Sequence, residues 1–408
     1  MHIALVTHHY PPEVGAPQRR WSAFVERFVA AGHRVSVLTP PPHYPSGHAE
    51  ELGPELRAGA IATGQFGETV YRVRFREHES DLVSRTVDHA ISAGSSLGRG
   101  IRHLVRDRPD VIVATAPGIP TIPAAMLLGS LLRRPTVVEM RDAWPDLVVP
   151  SGILWPDAPS GPRARTTAVA HRVLTDLQRH ATAVVTTTVS FAAVLRQRGI
   201  REVMVIRNGA HVADLPTLTG PTLDRVGLRV LYLGNLGRSQ GLASAIAAAD
   251  LARRQGTSVT LRFVGSGSDE VNLRAEAERL NAPALFLGRV RPDEVAAQYA
   301  WADTALVSLR GWEPFAWTVP SKLYEILAVN RHVSAAVTGE AAAIVGEAGA
   351  GDTVAPQCAQ ELADLWVSLA RDRRRLDVRG RGRAWVVENA EHDALAARYL
   401  RLLESVAP

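Results

Sequence analysis

The stretch VLYLGNLGRSQGL (Val230–Leu242) combines three signals. An apolar β run ends at Gly234, a turn carries further glycines at 237 and 241, and a helical pattern follows as GLASAIAAADLARRQG. A helix opened by a glycine turn presents backbone N–H groups and its positive dipole end, a combination suited to an anion. Arg238 and Gln240 lie inside the turn, where their donors can reach such a ligand. The glycines do not form G-x-G-x-x-G, and no acidic residue stands at the distance expected for a dinucleotide ribose. A nicotinamide-dependent oxidoreductase is therefore disfavoured.

Outward from this stretch the same alternation repeats. RVLYLG, TLRFVG, ALFLG and TALVSL read as one series of buried strands after residue 225. HIALVT, RVSVLT, DVIVATA, PTVVEM and AVVTTTV read as another before it. Helical patterns such as RRWSAFVERFVAAG separate them. Strand–helix alternation predicts an α/β protein with parallel sheets covered by helices on both faces. Each series has the length of one Rossmann-like domain. The turn-rich segment Asn208–Gly227 is expected to link the two. The predicted divisions are 1–208, 209–385 and 386–408, the last a helix that packs back on the first domain. Two such sheets facing each other leave a cleft at the carboxyl ends of their strands, where ligands are expected.

Composition narrows the function classes. The chain has 408 residues, 46% of them hydrophobic and 21% charged. That composition is globular and leaves room for two or three domains. Cys358 is the single cysteine, which excludes an internal disulfide and an all-cysteine zinc site. The N-terminal apolar run is short and meets a turn at once, so it reads as a strand and not a signal peptide. No window reaches the ~20 apolar residues of a membrane span. A cytoplasmic protein is expected. The net charge of +5 is modest for this length, and no basic stripe carries interleaved aromatics, so nucleic acid is not an expected partner. The run RDRRRLDVRGRGR (Arg371–Arg383) reads as a solvated helix face, ahead of a membrane or acidic contact. SSLGRGIRHLVRDRP reads first as an ordinary amphipathic helix and second as a peripheral membrane contact.

Further candidate residues follow strands. The first strand runs into HHYPPEVGAPQRR, where Gly15 and Ala16 permit close backbone approach and a helix is expected from about Gln18–Trp21. The turns in FVGSGSDE, with Gly265, and FLGRVRPDEV, with Arg289 and Val290, follow two more strands. Backbone at Arg289 and Val290 suits a nucleobase edge. TVPSKLYEILA (Thr318–Ala328) reads as a helix start with Thr318 as cap and Val319 or Pro320 as its first residue. Ser321 and Glu325 share a face, and Lys322 stands in the first turn. A carboxylate suits paired ribose hydroxyls and an ammonium suits phosphate, so a nucleotide is the ligand this constellation predicts. Of the 46 basic residues, Lys322 is the only lysine.

The ordered series THHYPPEVGAP, VLTPPPHYPSG, DVIVATAPGIPTIPA, VVEMRDAWPDL, VIRNGAHV, VLYLGNLGRSQGL, LGRVRPDEVAAQYAWAD and PSKLYEILAVNRHV resembles the retaining glycosyltransferases of family 4 over nearly the whole chain. The PHYPSG, RDAWPD and PSKLYE pieces resemble the branch of polysaccharide and O-antigen sugar transferases. The resemblance implies a GT-B fold of two Rossmann-like domains. It implies transfer of a sugar, with retained configuration, from a UDP- or GDP-type donor to a small-molecule or lipid-linked acceptor. No cofactor and no metal are expected. It further implies that Glu325 holds the ribose and that the Gly15 loop and the Gly234–Gly241 turn contact the diphosphate.

The chain departs from the family pattern at several points. The first Glu of the Glu-x7-Glu motif falls at Trp317, and Glu313 stands four residues early. The customary Arg and Lys of the phosphate turn correspond to Asn235 and Gln240, flanking Gly237 and Arg238. Arg141, followed by Asp142, occupies the place of a histidine. Arg238 and Lys322 are thus expected to neutralise the leaving diphosphate, and Asp142 either orients an acceptor hydroxyl or caps a turn. The rival readings are a nucleotide-sugar epimerase of the same fold and a non-catalytic sugar-nucleotide-binding protein.

Overall fold

A computed structural model describes residues 1–44, 46–49, 53–79, 82–116, 118–147 and 162–408. Pro45 of the PHYPSG piece and Pro117 of DVIVATAPGIPTIPA lie outside them. The described chain forms two α/β units. One comprises Met1–Arg207 with His392–Pro408, the other Asn208–Glu391.

The first unit is built on β1 (His2–Val6), β2 (Arg34–Thr39), β3 (Ile61–Thr63), β4 (Thr69–Arg72), β5 (Val111–Thr115), β6 (Thr136–Met140), β7 (Ala183–Thr186) and β8 (Val203–Val205). Their order is β3-β4-β2-β1-β5-β6-β7-β8, parallel except for the antiparallel pair β3–β4. The second unit holds β9 (Leu228–Leu233), β10 (Val259–Val264), β11 (Ala284–Phe286), β12 (Thr304–Ser308), β13 (His332–Ala336) and β14 (Gly351–Val354). They pair in the order β11-β10-β9-β12-β13-β14, all parallel. In each sheet the order reverses beside the first strand, at β1/β5 and at β9/β12. That is where doubly wound sheets bind ligands, at the carboxyl ends of the strands.

The near-continuous apolar runs of β1, β5, β6, β7 and β12 follow from burial on both faces; every residue in them is buried. The second unit's core gathers Val230, Tyr232, Phe263, Leu306 and Trp366 with the alanine-rich helix Ala243–Arg254. In the first unit, Trp21, Phe24 and Phe28 lie on one face of the helix Ala16–Ala30 and meet Tyr399 of the terminal helix His392–Val406, with ring centroids 5.5–5.9 Å apart. Residues 386–389 do not belong to that terminal helix. They end the preceding helix Arg381–Asn389 in the second unit.

Three local expectations are corrected. The helix after β1 starts at Ala16, because Pro17 is compatible with a first turn and the chain needs no further lead-in. The helix of PSKLYEILA starts at Lys322, with Ser321 before it; the Thr318 hydroxyl donates to Pro314 O and closes the preceding 3₁₀ turn (Glu313–Trp317), so it caps nothing. The arginine run is solvated only in part: Arg371, Arg374, Arg375, Arg379 and Arg381 are exposed, but Arg373 and Arg383 are claimed by the fold. Arg373 is buried and donates to Thr222 O, Gly227 O and Asp303 Oδ1, while Arg383 donates to Val212, Leu215 and Ala328 carbonyls. These guanidiniums satisfy the carbonyls of the irregular segment that precedes β9, which has no ladder to do so.

Candidate functional site

The second unit brings three glycine turns together at the ends of β9, β10 and β11. Gly234 and Gly265 have φ of +139° and +136°, which only glycine adopts readily. Gly234 N–H donates to Val264 O at 2.8 Å and Gly265 N–H to Gly288 O at 2.6 Å. A Cβ on Gly265 would fall 2.0 Å from Gly234 O, so the close approach itself excludes a side chain. The turn after β9 is pinned from behind. Ser308 Oγ donates to Gln240 O (2.6 Å), Arg310 N–H to Ser239 O (2.9 Å) and Arg310 Nε to Arg238 O (2.7 Å). Tyr232, buried and held neutral by that burial, donates its hydroxyl to Asn235 O at 2.8 Å.

On this fixed backbone Arg238 is exposed, and its guanidinium has no hydrogen bond or ion pair among the described residues. Gln240 Oε1 is buried without a hydrogen-bond partner beside Gly237. Asn235 is exposed, and its side-chain amide fills the space that a Cβ on Gly237 or Gly267 would need.

Lys322 joins this turn from a distant point in the chain. Its Nζ lies 3.6 Å from the centroid of the Tyr232 ring, and a Cβ on Gly234 would come within 2.8 Å of it. An ammonium over an aromatic face is stabilised by roughly 0.5–2 kcal/mol and held in one place. Glu325, one turn further along the short helix Lys322–Ala328, is half-buried and accepts from Tyr299 Oη at 3.4 Å. Ser321 precedes the helix. Arg289 is exposed with Nε donating to Ser266 Oγ at 2.8 Å, and the peptide groups of Arg289 and Val290 have no partner among the described residues. Glu313 is exposed at the start of the 3₁₀ turn Glu313–Trp317, with no bond from its carboxylate among the described residues.

The first unit presents a separate set of groups at the ends of β1, β2 and β6. Gly15 precedes the helix Ala16–Ala30 in extended conformation, and a Cβ there would meet Gln18 Oε1 at 2.5 Å. Sequence reasoning missed Glu13. This carboxylate accepts from the N–H groups of His43 (2.8 Å) and Tyr44 (2.9 Å), from Gln18 Nε2 (2.7 Å) and from His9 Nδ1 (3.2 Å). Burial works to raise its pKa, but the bond from His9 and the other donors win and hold it at about 2. The signal was present in HHYPPEVG, where the chain has a carboxylate just before a helix start, but its partners come from another strand. After β6, Arg141 Nε donates to Ala116 O at 2.8 Å. Asp142 makes no side-chain hydrogen bond among the described residues; its backbone carbonyl, not its carboxylate, closes the next turn by accepting from Trp144 N–H. Burial pushes the Asp142 carboxyl up, against the pull of Arg141.

The comparisons with known proteins agree with this layout. Residues 15–209 match the family described as Glycosyl transferase 4-like domain, and residues 227–372 match Glycosyl transferases group 1. The chain is 24% identical over 357 residues, 85% of each chain, to a protein of Escherichia coli K12 named as a colanic acid biosynthesis glycosyl transferase, WcaI. Among solved structures it resembles a sucrose-phosphate synthase from Thermosynechococcus elongatus, with TM-score 0.72, 18% identity and coverage of 99% and 98%. It also resembles Anabaena Alr3699/HepE, solved with UDP and glucose, with TM-score 0.69, 18% identity and 99% coverage of both chains. With one matched domain in each of its two α/β units, the chain belongs to the glycosyltransferases of GT-B fold.

Proposed function

We propose that the protein transfers a sugar, with retention of configuration, from a UDP- or GDP-type nucleotide sugar to an acceptor hydroxyl. The observation that carries this reading is the position of Lys322. The sole ammonium side chain lies against the Gly234 turn, the turn that also carries the exposed Arg238. Two cations on one glycine turn suit the charge of a diphosphate leaving group. As the glycosidic C–O bond breaks, the diphosphate takes up negative charge, and fixed positive groups stabilise it without reorganising. Glu325 then receives the ribose hydroxyls, and the peptide groups of Arg289 and Val290, which have no partner among the described residues, receive the base. HepE, solved with UDP-glucose, supports a nucleotide donor for this fold.

Retention follows in this reading from front-face attack, in which the leaving phosphate helps to take the acceptor proton. Asp142 is the acceptor-orienting group, since its carboxyl is left unused by the turn it sits on. The acceptor is a small molecule or a lipid-linked saccharide; the relative WcaI is named for colanic acid biosynthesis. Among the described residues no helix is long and apolar enough to cross a membrane, so a lipid-linked acceptor would be met at the surface of the bilayer.

A thermal-shift panel of UDP, GDP and their sugar conjugates tests the donor. One nucleoside diphosphate sugar should raise the melting midpoint well above the others. NMR of the product made from that donor reads the anomeric configuration. Indifference to every nucleotide sugar, or a product of inverted configuration, would overturn the reading.

A further inference from the structure

Four histidines and one aspartate meet in the first unit, at the base of the loop that carries Gly15. Asp88, on the helix Leu82–Leu104, is fully buried. Its Oδ1 is occupied by Arg76 N–H (3.0 Å) and Ser92 Oγ (3.2 Å). Its Oδ2 faces three imidazole nitrogens, His8 Nε2 at 3.0 Å, His43 Nε2 at 3.6 Å and His78 Nε2 at 3.9 Å. His8 Nε2 is also 3.2 Å from His43 Nε2, and the ring of His89 packs on that of His8 with centroids 4.0 Å apart.

The tautomers of two of these rings are fixed by carbonyls, which only accept. His43 Nδ1 is 2.8 Å from Pro41 O and His78 Nδ1 is 2.8 Å from Glu79 O. Each Nδ1 therefore carries the hydrogen, and each Nε2 presents a lone pair. Around Asp88 Oδ2 there are thus, among the described residues, two nitrogen lone pairs and a carboxylate oxygen, with the single N–H that His8 Nε2 can supply. Three acceptors and one donor leave the pocket short of positive charge. The His8 N–H, 3.0 Å from Asp88 Oδ2 and 3.2 Å from His43 Nε2, serves one of them at a time, and 3.6 and 3.9 Å are too long for further shared protons. They do suit two ligands of one ion. Donors each about 2.0–2.1 Å from a tetrahedral Zn²⁺ stand roughly 3.3 Å apart. One ligand atom from each of His43, His78 and Asp88 falls within 4.8 Å of the other two. A backbone carbonyl behind the far nitrogen is the arrangement that orients histidine ligands in metal sites.

We infer that His43, His78 and Asp88 form a binding site for one divalent first-row transition-metal ion of the Zn²⁺ type, with His8 beside it and outside the ligand set. Neutral imidazoles with a single carboxylate favour such an ion over Mg²⁺ or Ca²⁺, which take oxygen donors. The ligands come from the segment after β2, the segment after β4 and the helix Leu82–Leu104, so the ion ties three chain segments together. Its role is to brace the loop that carries His9, Glu13 and Gly15.

The test uses the tag-free full-length protein grown with added zinc. Elemental analysis should find about one zinc per chain. Stripping with a chelator should lower the melting midpoint, and re-adding Zn²⁺ alone should restore it. Co²⁺ in place of Zn²⁺ should give the visible bands of a tetrahedral histidine site. The double variant His43→Gln/His78→Gln should bind Zn²⁺ roughly a hundredfold or more weakly, exceeding the 10–100-fold seen when only an outer-shell partner is lost. Wild-type protein without zinc, or a double variant that keeps wild-type stoichiometry and affinity, would overturn the assignment. If the double variant does not fold, the wild-type stoichiometry and Co²⁺ spectrum decide alone: an octahedral spectrum or no stoichiometric metal rejects the site.

Discussion

Lys322 and Glu325 show how single residues divide the donor's chemistry. An ammonium is a compact point charge, while a guanidinium is a planar fork. Lys322→Arg keeps the positive charge over Tyr232 but moves it away from the Gly234 turn. If the diphosphate is neutralised there, turnover should fall about 10²–10³-fold. The melting midpoint should stay close to wild type, because a guanidinium also stacks on an aromatic ring. Steady-state kinetics beside thermal denaturation check this, and unchanged turnover rules the role out. Glu325→Gln removes a charged acceptor whose hydrogen bonds to the ribose would be worth about 1.5–3 kcal/mol. Calorimetry should show UDP binding weakened roughly 10–100-fold, with a much smaller difference for 2′-deoxy-UDP. Equal loss for both nucleotides would place Glu325 elsewhere than at the ribose.

The elements around β9–β14 depend on polar anchors that the strand pattern does not reveal. Arg373 and Asp303 are both buried, 2.6 Å apart, and Arg225 adds a second bond to Asp303 at 2.8 Å. Arg373→Met leaves that carboxylate half-compensated and orphans two carbonyls. The expected loss is about 3 kcal/mol, the lower end for a broken buried pair because Arg225 remains. Urea unfolding at neutral pH measures it, and a loss within experimental error would show that the anchor is dispensable. At the β13–β14 edge, Asp352 is held below its ordinary value, first by the hydrogen bond from His332 Nε2 (3.0 Å), with burial opposing and Arg375 adding to it. A depressed carboxylate stabilises the fold above its unfolded pKa of about 3.9 and loses that contribution as pH falls through the folded value. Asp352→Asn should therefore lower the melting midpoint at pH 7 and converge with wild type in the acid range below pH 4. A difference that persists undiminished there would mean that charge is not the cause.

At the scale of the molecule, the chain's last helix completes the core of the unit that its first residues begin. Tyr399, fully buried, packs on Trp21, Phe24 and Phe28, and Leu402 and Leu403 extend the same cluster. Residues 1–207 produced alone would expose that aromatic face. Truncating one buried aromatic costs about 3–5 kcal/mol, and here a whole helix is removed, against a typical domain stability of about 5–15 kcal/mol. The fragment should show no cooperative transition by tryptophan fluorescence. The same fragment joined through a short linker to residues 392–408 should recover one, and a cooperative transition without that helix would refute the dependence.

How much of this was legible follows from the reach of each interaction. Periodicity predicts the principal strands because a parallel strand buried on both faces must be apolar throughout, which is a local property. It does not single out β3, β4, β8 or β14, which at three or four residues are too short to show a period. The glycine turn at 234–241, Lys322 and Glu325 could be proposed from composition and spacing, since φ above zero and a compact cation are properties of residue type. That Lys322 lies on Tyr232, 90 residues earlier, could not. The arginine run reads as solvated in sequence because charge is usually exposed, and only the fold shows which carbonyls claim Arg373 and Arg383.

By itself, then, the order of residues determined two α/β units, the turns able to approach an anion, and the residue types offered to a nucleotide. Tertiary structure alone decided which of those groups meet. Glu13 became a carboxylate held at about 2 because, against burial, His9 bonds to it and the segment after β2 adds the His43 N–H. His8, His43, His78 and Asp88 share one pocket because parallel strands place their carboxyl ends side by side, whatever the length of chain between them. Hydrogen bonds and charge act over a few ångströms of space, and sequence distance carries no record of which residues folding will bring within that range.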